Sequence, residues 1–205
     1  YIGDMMYSSK VANTTDVLVH RYIIDSDNLS YNNELTDYRG RVMMPRMINN
    51  ITEFDKRTRI IINIIKETLE EHIDRQILVL SDRKNHLNDI YQIVTKEAIC
   101  SAGYYVGGMK KDALKASESR QLILGTFAMA NEGLDIETLN CLILASPKSD
   151  VIQAVGRVLR KDHLEMKPKI VDMVDIFSMF TNQAGKRLKY YKTKGYVCLL
   201  YKSPR

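Results

Sequence analysis

The sequence predicts an α/β domain, a mainly parallel β-sheet flanked by helices on both faces. Three observations carry this. Short continuous apolar runs recur at 77–80, 122–124, 141–144 and 170–174, as in strands buried on both sides. Between them lie segments whose apolar residues fall at helical spacing. The 205 residues, 45% hydrophobic and 27% charged, are enough for one core without disulfide staples.

In chain order, 17–24 is a strand candidate, and 25–38, rich in Asn, Asp and Ser, is a loop. Residues 55–73 are a helix with Ile61, Ile62, Ile65 and Leu69 on one stripe. The strand at 77–80 precedes a helix over 85–101 with Leu87, Ile90, Ile93 and Val94 on its apolar side. Strands follow at 104–106, 122–124 and 141–144, then a helix over 151–160, a strand at 170–174 and a helix over 177–191. The expected organisation is a linker and first-strand region over 1–50, a core over 51–180, and a basic tail over 181–205 that packs on the domain or extends it.

The three cysteines, Cys100, Cys141 and Cys198, are far apart and show no metal-ligand spacing, so neither a metal site nor a disulfide framework is expected. No apolar run is long enough for a membrane span. A reducing, intracellular setting is expected. The chain begins with Tyr1, and a longer parent is expected. The net charge of +5 is uneven: 176–205 holds seven Lys and Arg and no acid, leaving −2 for the rest. Such a tail suits a polyanion, or is a solvated helical face; Tyr190, Tyr191 and Tyr196 either pack on the body or offer a stacking platform.

In parallel sheets the chemistry collects at the carboxyl ends of the strands. The most informative segment there is 153–160. At about 100° per residue, Ile152, Val155 and Leu159 make an apolar stripe, and Gln153, Arg157 and Arg160 a second one, with Gly156 between. Two arginines a turn apart with no carboxylate to pair them suit phosphate oxygens. Spacing alone fits a surface helix with solvated arginines equally well. A glycine inside a helix costs roughly 1 kcal/mol against alanine, so something is expected to approach the backbone there.

Upstream, Thr126 sits just past a strand end, where its hydroxyl can donate to a phosphate; Gly133 permits a positive φ; Asp135 can accept from ribose hydroxyls. After the strand at 77–80 come Ser81, Asp82 and Arg83, which can contact a nucleic-acid backbone, cap a helix, or do both. Gly107 and Gly108 follow the strand at 104–106 as a contact loop or a plain turn.

In this order, these segments resemble motifs IV, V and VI of the second RecA-like domain of superfamily 2 helicases. The likeness covers roughly 77–175, and the wording around 130–136 and 144–150 is similar to helicases of large cytoplasmic DNA viruses, of the poxvirus and African swine fever virus kind. The resemblance implies catalytic roles for Arg160 as arginine finger, Arg157 as its phosphate-binding companion and Gln153 as a link to water and phosphate. It puts Gly133, Asp135 and Gly156 on the nucleotide side, and Ser81, Asp82, Arg83, Gly107, Gly108 and Thr126 along the nucleic-acid backbone, with DNA expected over RNA. ATP and Mg2+ are implied as cofactors. No Gly-x-x-x-x-Gly-Lys-Ser/Thr loop and no strand-end Asp-Glu pair is present, so a first RecA-like domain of the same polypeptide is expected to hold both, and this chain alone to be inactive. The resemblance also implies the host cytoplasm as location. The alternative is a non-catalytic nucleic-acid-binding module that keeps the fold.

Overall fold

The computed structural model describes residues 5–9, 17–24, 26–132, 134–159 and 166–202. The strands are β1 (Met5–Ser9), β2 (Leu18–Ile24), β3 (Gln76–Leu80), β4 (Ala102–Tyr105), β5 (Leu122–Gly125), β6 (Leu139–Leu144), β7 (Lys169–Asp175) and β8 (Val197–Lys202). The helices are α1 (Leu29–Asn32), α2 (Met44–Thr52), α3 (Asp55–Glu71), α4 (Lys84–Lys96), α5 (Lys111–Glu118), α6 (Phe127–Glu132), α7 (Ile152–Val158) and α8 (Ser178–Thr193). The sheet order is β1-β8-β2-β7-β6-β3-β5-β4. Every neighbouring pair is parallel except β1 with β8. Seven parallel strands between two helical layers are the expected α/β architecture.

Central strand β3 shows why. All five of its residues are buried, and they alternate between two cores. Ile77 and Val79 pack with Ile61, Ile65, Leu87 and Ile90 under α3 and α4. Leu78 and Leu80 pack with Phe127, Val155 and Tyr191 under α6, α7 and α8. An apolar run with a period of two on each face is stable only when both faces are covered.

One helix end and several elements differ from the sequence reading. Helix α4 stops at Lys96, five residues before the expected end. Ala98 takes a positive φ of 49°, and the Ile99 N–H reaches back to the Val94 carbonyl at 3.0 Å, which closes the last turn and frees the chain to enter β4. Within the loop expected over 25–38, 29–32 form one helical turn capped by Asn28. Helix α2, opened by Pro45, had a legible start and a Met47, Ile48, Ile51 stripe. Helix α5 buries only Ser117 and so leaves no apolar periodicity to read.

The C-terminal basic segment becomes α8 and β8. Strand β8 enters the sheet between β1 and β2. Tyr191 and Tyr196 are buried and stack on each other, so those two rings support the body and offer no platform. Arg187 is also buried, with its Nε 2.8 Å from Asp172. The exposed cations of α8 are Lys186, Lys189 and Lys192.

Strand β7 carries two buried carboxylates. Asp172 takes Arg187 on one oxygen and Arg21 at 3.0 Å on the other. Asp175 is held by Arg57 through Nε at 3.0 Å and Nη2 at 3.1 Å, and by the Tyr31 hydroxyl at 2.6 Å. Removing one partner of a buried pair strands the other charge and costs about 3–5 kcal/mol. One hydrogen bond to a charged group is worth about 1.5–3 kcal/mol. Arg57→Met is therefore expected to lower the urea midpoint more than Tyr31→Phe, and reversal of that ranking would mean Asp175 does not depend on Arg57.

Candidate functional site

The loops that leave β3, β4, β5 and β6 meet along one rim of the sheet. Backbone bonds step across it: Thr126 N–H to Tyr105 O at 3.4 Å, Ser81 N–H to Gly125 O at 3.1 Å, and Ala145 N–H to Leu80 O at 2.8 Å. Parallel pairing thus continues one residue past the strand ends and fixes the loops relative to one another.

The turn after β3 distributes its work differently from the sequence reading. Ser81 is fully buried. Its Oγ accepts from the Arg83 N–H at 3.2 Å and lies 3.2 Å from His86 Nδ1, so it serves the turn into α4 and does not reach the surface. The half-buried Asp82 pairs with Lys148 at 3.3 Å, where a bare carboxylate would repel a phosphate. Arg83 spends its guanidinium on the Pro45 carbonyl at 2.9 Å, on the Asp82 carbonyl at 3.2 Å and on the Asn49 amide, tying α2 to the rim. The cations this region presents are Lys84, whose Nζ reaches the Gly107 carbonyl at 3.0 Å, and Lys148, 5.3 Å from the centre of the Phe127 ring. Neither was singled out as a site from sequence, although Lys84 directly follows Arg83 and Lys148 follows a strand end by four residues.

Gly107 and Gly108 are exposed, and Gly108 has φ +92°, so the turn itself requires glycine there. Thr126 is half-buried, and its Oγ1 accepts from the Met129 N–H at 3.5 Å. An accepting hydroxyl keeps its own hydrogen to donate. Lys84, Gly107, Thr126 and Lys148 therefore form a polar, net positive strip across the rim.

Helix α7 follows the β6 loop. Its buried side is Val151, Ala154, Val155 and Val158, spaced i, i+3, i+4, i+7. The expected stripe is rotated: Ile152 is 55% exposed and Leu159 half-buried, because packing against α6 and β6 selects the neighbouring set. Gln153 is exposed and Arg157 half-exposed. The Arg157 Nη2 lies 3.3 Å from the Asn131 carbonyl at the end of α6, joining the two segments. Asp135 points outward between buried Leu134 and Ile136. Gly133 and Arg160 lie outside the described residues. A Cβ on Gly156 would meet none of the described residues within 4 Å, so the helix face there is open among them.

Buried side chains fix the loop that leads into α7. Arg187 Nη1 grips the Lys148 carbonyl at 2.6 Å, and Arg57 Nη1 grips the Ala145 carbonyl. The start and the middle of the loop that leads into α7 are thus tied to β7 through Asp175 and Asp172. No group of three or more His, Cys, Asp or Glu suited to a metal ion occurs among the described residues, and no described helix is long and apolar enough to cross a membrane.

Residues 56–162 match the helicase conserved C-terminal domain. The chain belongs to that family. It is 33% identical over 204 residues to a mimivirus protein named "Putative ATP-dependent RNA helicase L396", covering 96% of this chain and 38% of the relative. It is 28% identical over 128 residues to a protein of African swine fever virus, "Putative ATP-dependent RNA helicase QP509L", covering 58% and 25%. The helicase domain therefore spans well under half the length of the curated relatives it matches. The crystal structure of T4 UvsW shares the fold, with TM-score 0.69 at 16% identity, covering 93% of this chain and 42% of that one. The RecA-like architecture and the kinship with viral helicases are as expected from the motifs. The relatives' names give no support to a preference for DNA.

Two outcomes follow from the local geometry. Burial, with Arg57 nearby, lowers the His86 pKa from 6.5 to about 3. The fold holds the neutral ring, so between those values the unfolded chain binds more protons. Stability is then whole above about pH 6.5 and falls as pH drops through the window; His86→Gln is expected to flatten that fall in urea melts. His20, also lowered to about 3, keeps part of the slope in the variant. Gly156→Ala should leave the isolated domain as stable as wild type, or more stable by up to about 1 kcal/mol. A lowered melting midpoint would show that the helix interior itself needs the glycine.

Proposed function

We propose that this domain is the second motor domain of an ATP-dependent superfamily 2 helicase or translocase. The observation that carries this is the junction at Arg157. Its guanidinium, on the outward side of α7, has one backbone acceptor on α6, and α6 begins at Phe127, directly after Thr126 on the positive strip. A phosphate-binding arginine and a backbone-binding strip are thus one helix apart.

ATP and magnesium would supply the phosphoanhydride whose hydrolysis drives movement, held mainly by a first RecA-like domain. The residues present fit the phosphate end of such a ligand: Gln153 is exposed and, among the described residues, Gly156 is open and Arg157 keeps most of its donors. Arg157 and Arg160 would reach across to the phosphates, where arginine fingers are worth ~10³–10⁵ in rate. Gly133 and Asp135 would belong to the nucleotide side. Lys84, Gly107, Gly108, Thr126 and Lys148 would hold phosphates of the strand, a grip with little sequence preference and a marked salt dependence. Such contacts discriminate DNA from RNA poorly, so both are substrates to test. Asp82 would act by holding Lys148, and Ser81 and Arg83 by fixing the turn.

The test is magnesium-dependent ATPase activity of the intact helicase, this domain joined to its first motor domain, with and without single-stranded DNA or RNA. Arg157→Ala and Arg160→Ala are each expected to lower stimulated turnover by ~10³ or more while ATP binding is largely kept. Equal loss of binding and turnover would make the arginines structural. No turnover under any condition would favour a binding module that keeps the fold. The domain alone is expected to show no activity.

A further inference from the structure

A hairpin at 36–42 presents an aromatic ring that the fold does not use. Thr36 and Val42 pair as an antiparallel bridge. The Asp37 N–H donates to Arg41 O at 2.9 Å, and the Gly40 N–H to Asp37 O at 2.9 Å. Gly40 stands at φ +75°, the left-handed position that closes a three-residue hairpin loop. The Asp37 carboxylate accepts from the Arg39 and Arg41 N–H groups at 2.8 and 3.0 Å and from the Arg41 guanidinium at 2.8 Å. Backbone bonds from Arg41, then Arg39, hold that carboxyl below its ordinary range. The turn is thus specified by its own side chains.

At the tip, Tyr38 is 87% exposed, and the Arg39 guanidinium carbon lies 5.0 Å from the ring centre. An aromatic left in water on a well-bonded turn adds nothing to the core. A ring with a guanidinium alongside is the pairing that stacks on nucleobases. Arg41 is paired with Asp37, and Glu34 and Glu53 flank the segment, but Arg39, beside the ring, and Arg46 are exposed cations, so the tip itself suits phosphates.

The hairpin also stands at the same rim of the sheet. Its base closes through Met43 N–H to Leu35 O at 2.7 Å, directly before α2. Helix α2 is tied to the turn after β3 by Arg83 on Pro45 and Asn49. Ahead of the hairpin, Tyr31 is bonded to Asp175 at the end of β7.

We propose that the hairpin is a base-stacking finger: Tyr38 stacks on a base of the strand whose phosphates lie on Lys84, Lys148 and the Gly107 loop, while Arg39 and Arg46 meet adjoining phosphates. This rests on the nucleic-acid reading above. It assigns to Tyr38 an affinity for bases that the phosphate strip cannot supply.

The experiment titrates the chain against fluorescent oligothymidylate, oligouridylate and a thymidylate strand carrying abasic sites. It compares wild type, Tyr38→Ala, Tyr38→Phe and Lys148→Ala. Tyr38→Ala is expected to weaken binding to the base-bearing strands about tenfold, toward the low end for one base–aromatic stack. It should leave the abasic strand unaffected, and Tyr38→Phe should restore affinity. Being exposed, Tyr38 can be replaced without lowering the melting temperature. If Tyr38→Ala binds as wild type does while Lys148→Ala weakens every strand, the finger is refuted and the nucleic-acid reading stands. Equal weakening on base-bearing and abasic strands refutes stacking. Failure of wild type to bind any strand overturns both.

Discussion

Asp172 and Asp175 of β7 are the constraint on which the working surface depends. Two carboxylates beside the middle of a parallel sheet are tolerable only if each is fully paired. Asp172 draws Arg21 from β2 and Arg187 from α8. Asp175 draws Arg57 from α3 and Tyr31 from α1. Elements from the two ends of the chain are thereby fixed to one strand. The same guanidiniums have donors left over, and these hold the carbonyls of Ala145 and Lys148. The loop into α7 is therefore positioned from beneath by charge as well as by the backbone bond from the Ala145 N–H to the Leu80 carbonyl.

This arrangement separates support from contact. The residues that fix the loops, Ser81, Arg57, Arg187 and His86, are buried. The groups facing outward, Lys84, Gly107, Thr126, Lys148, Gln153 and Arg157, have donors or open backbone to spare. Under the proposed motor role that division is useful, because the contact groups could meet solvent or ligand without disturbing the ties that hold the rim. The 36–42 hairpin follows the same pattern, its turn closed by Asp37 and its ring left outside.

The buried network also explains why the C-terminal segment is part of the fold. Arg187 serves Asp172, while Tyr191 packs beneath α8 and Tyr196 beside it. Strand β8 satisfies the free edge of β2, which would otherwise expose unpaired backbone. What α8 turns outward is a row of lysines.

The sequence by itself determined the α/β class and the order of the strands from β2 to β7 with the helices α3, α4, α7 and α8. Buried parallel strands must be apolar on both faces, and helices must show a stripe, so both leave a periodic record. It also determined that Gln153, Gly156 and Arg157 share a helix and that Gly108 sits in a turn. Only the tertiary structure decided that Ser81 is buried, that Arg83 is spent on α2, that Asp82 faces Lys148 and that Tyr38 stands out in solvent beside Arg39. Burial and pairing of a polar side chain depend on which distant elements arrive beside it, and Arg187 meets Asp172 only after the chain has folded back along β7. Short, exposed α5 and the one-turn α1 left no periodicity to read. The tail's charge was legible, but its division into a buried arginine and exposed lysines was not, because composition does not record which face of a helix meets the sheet.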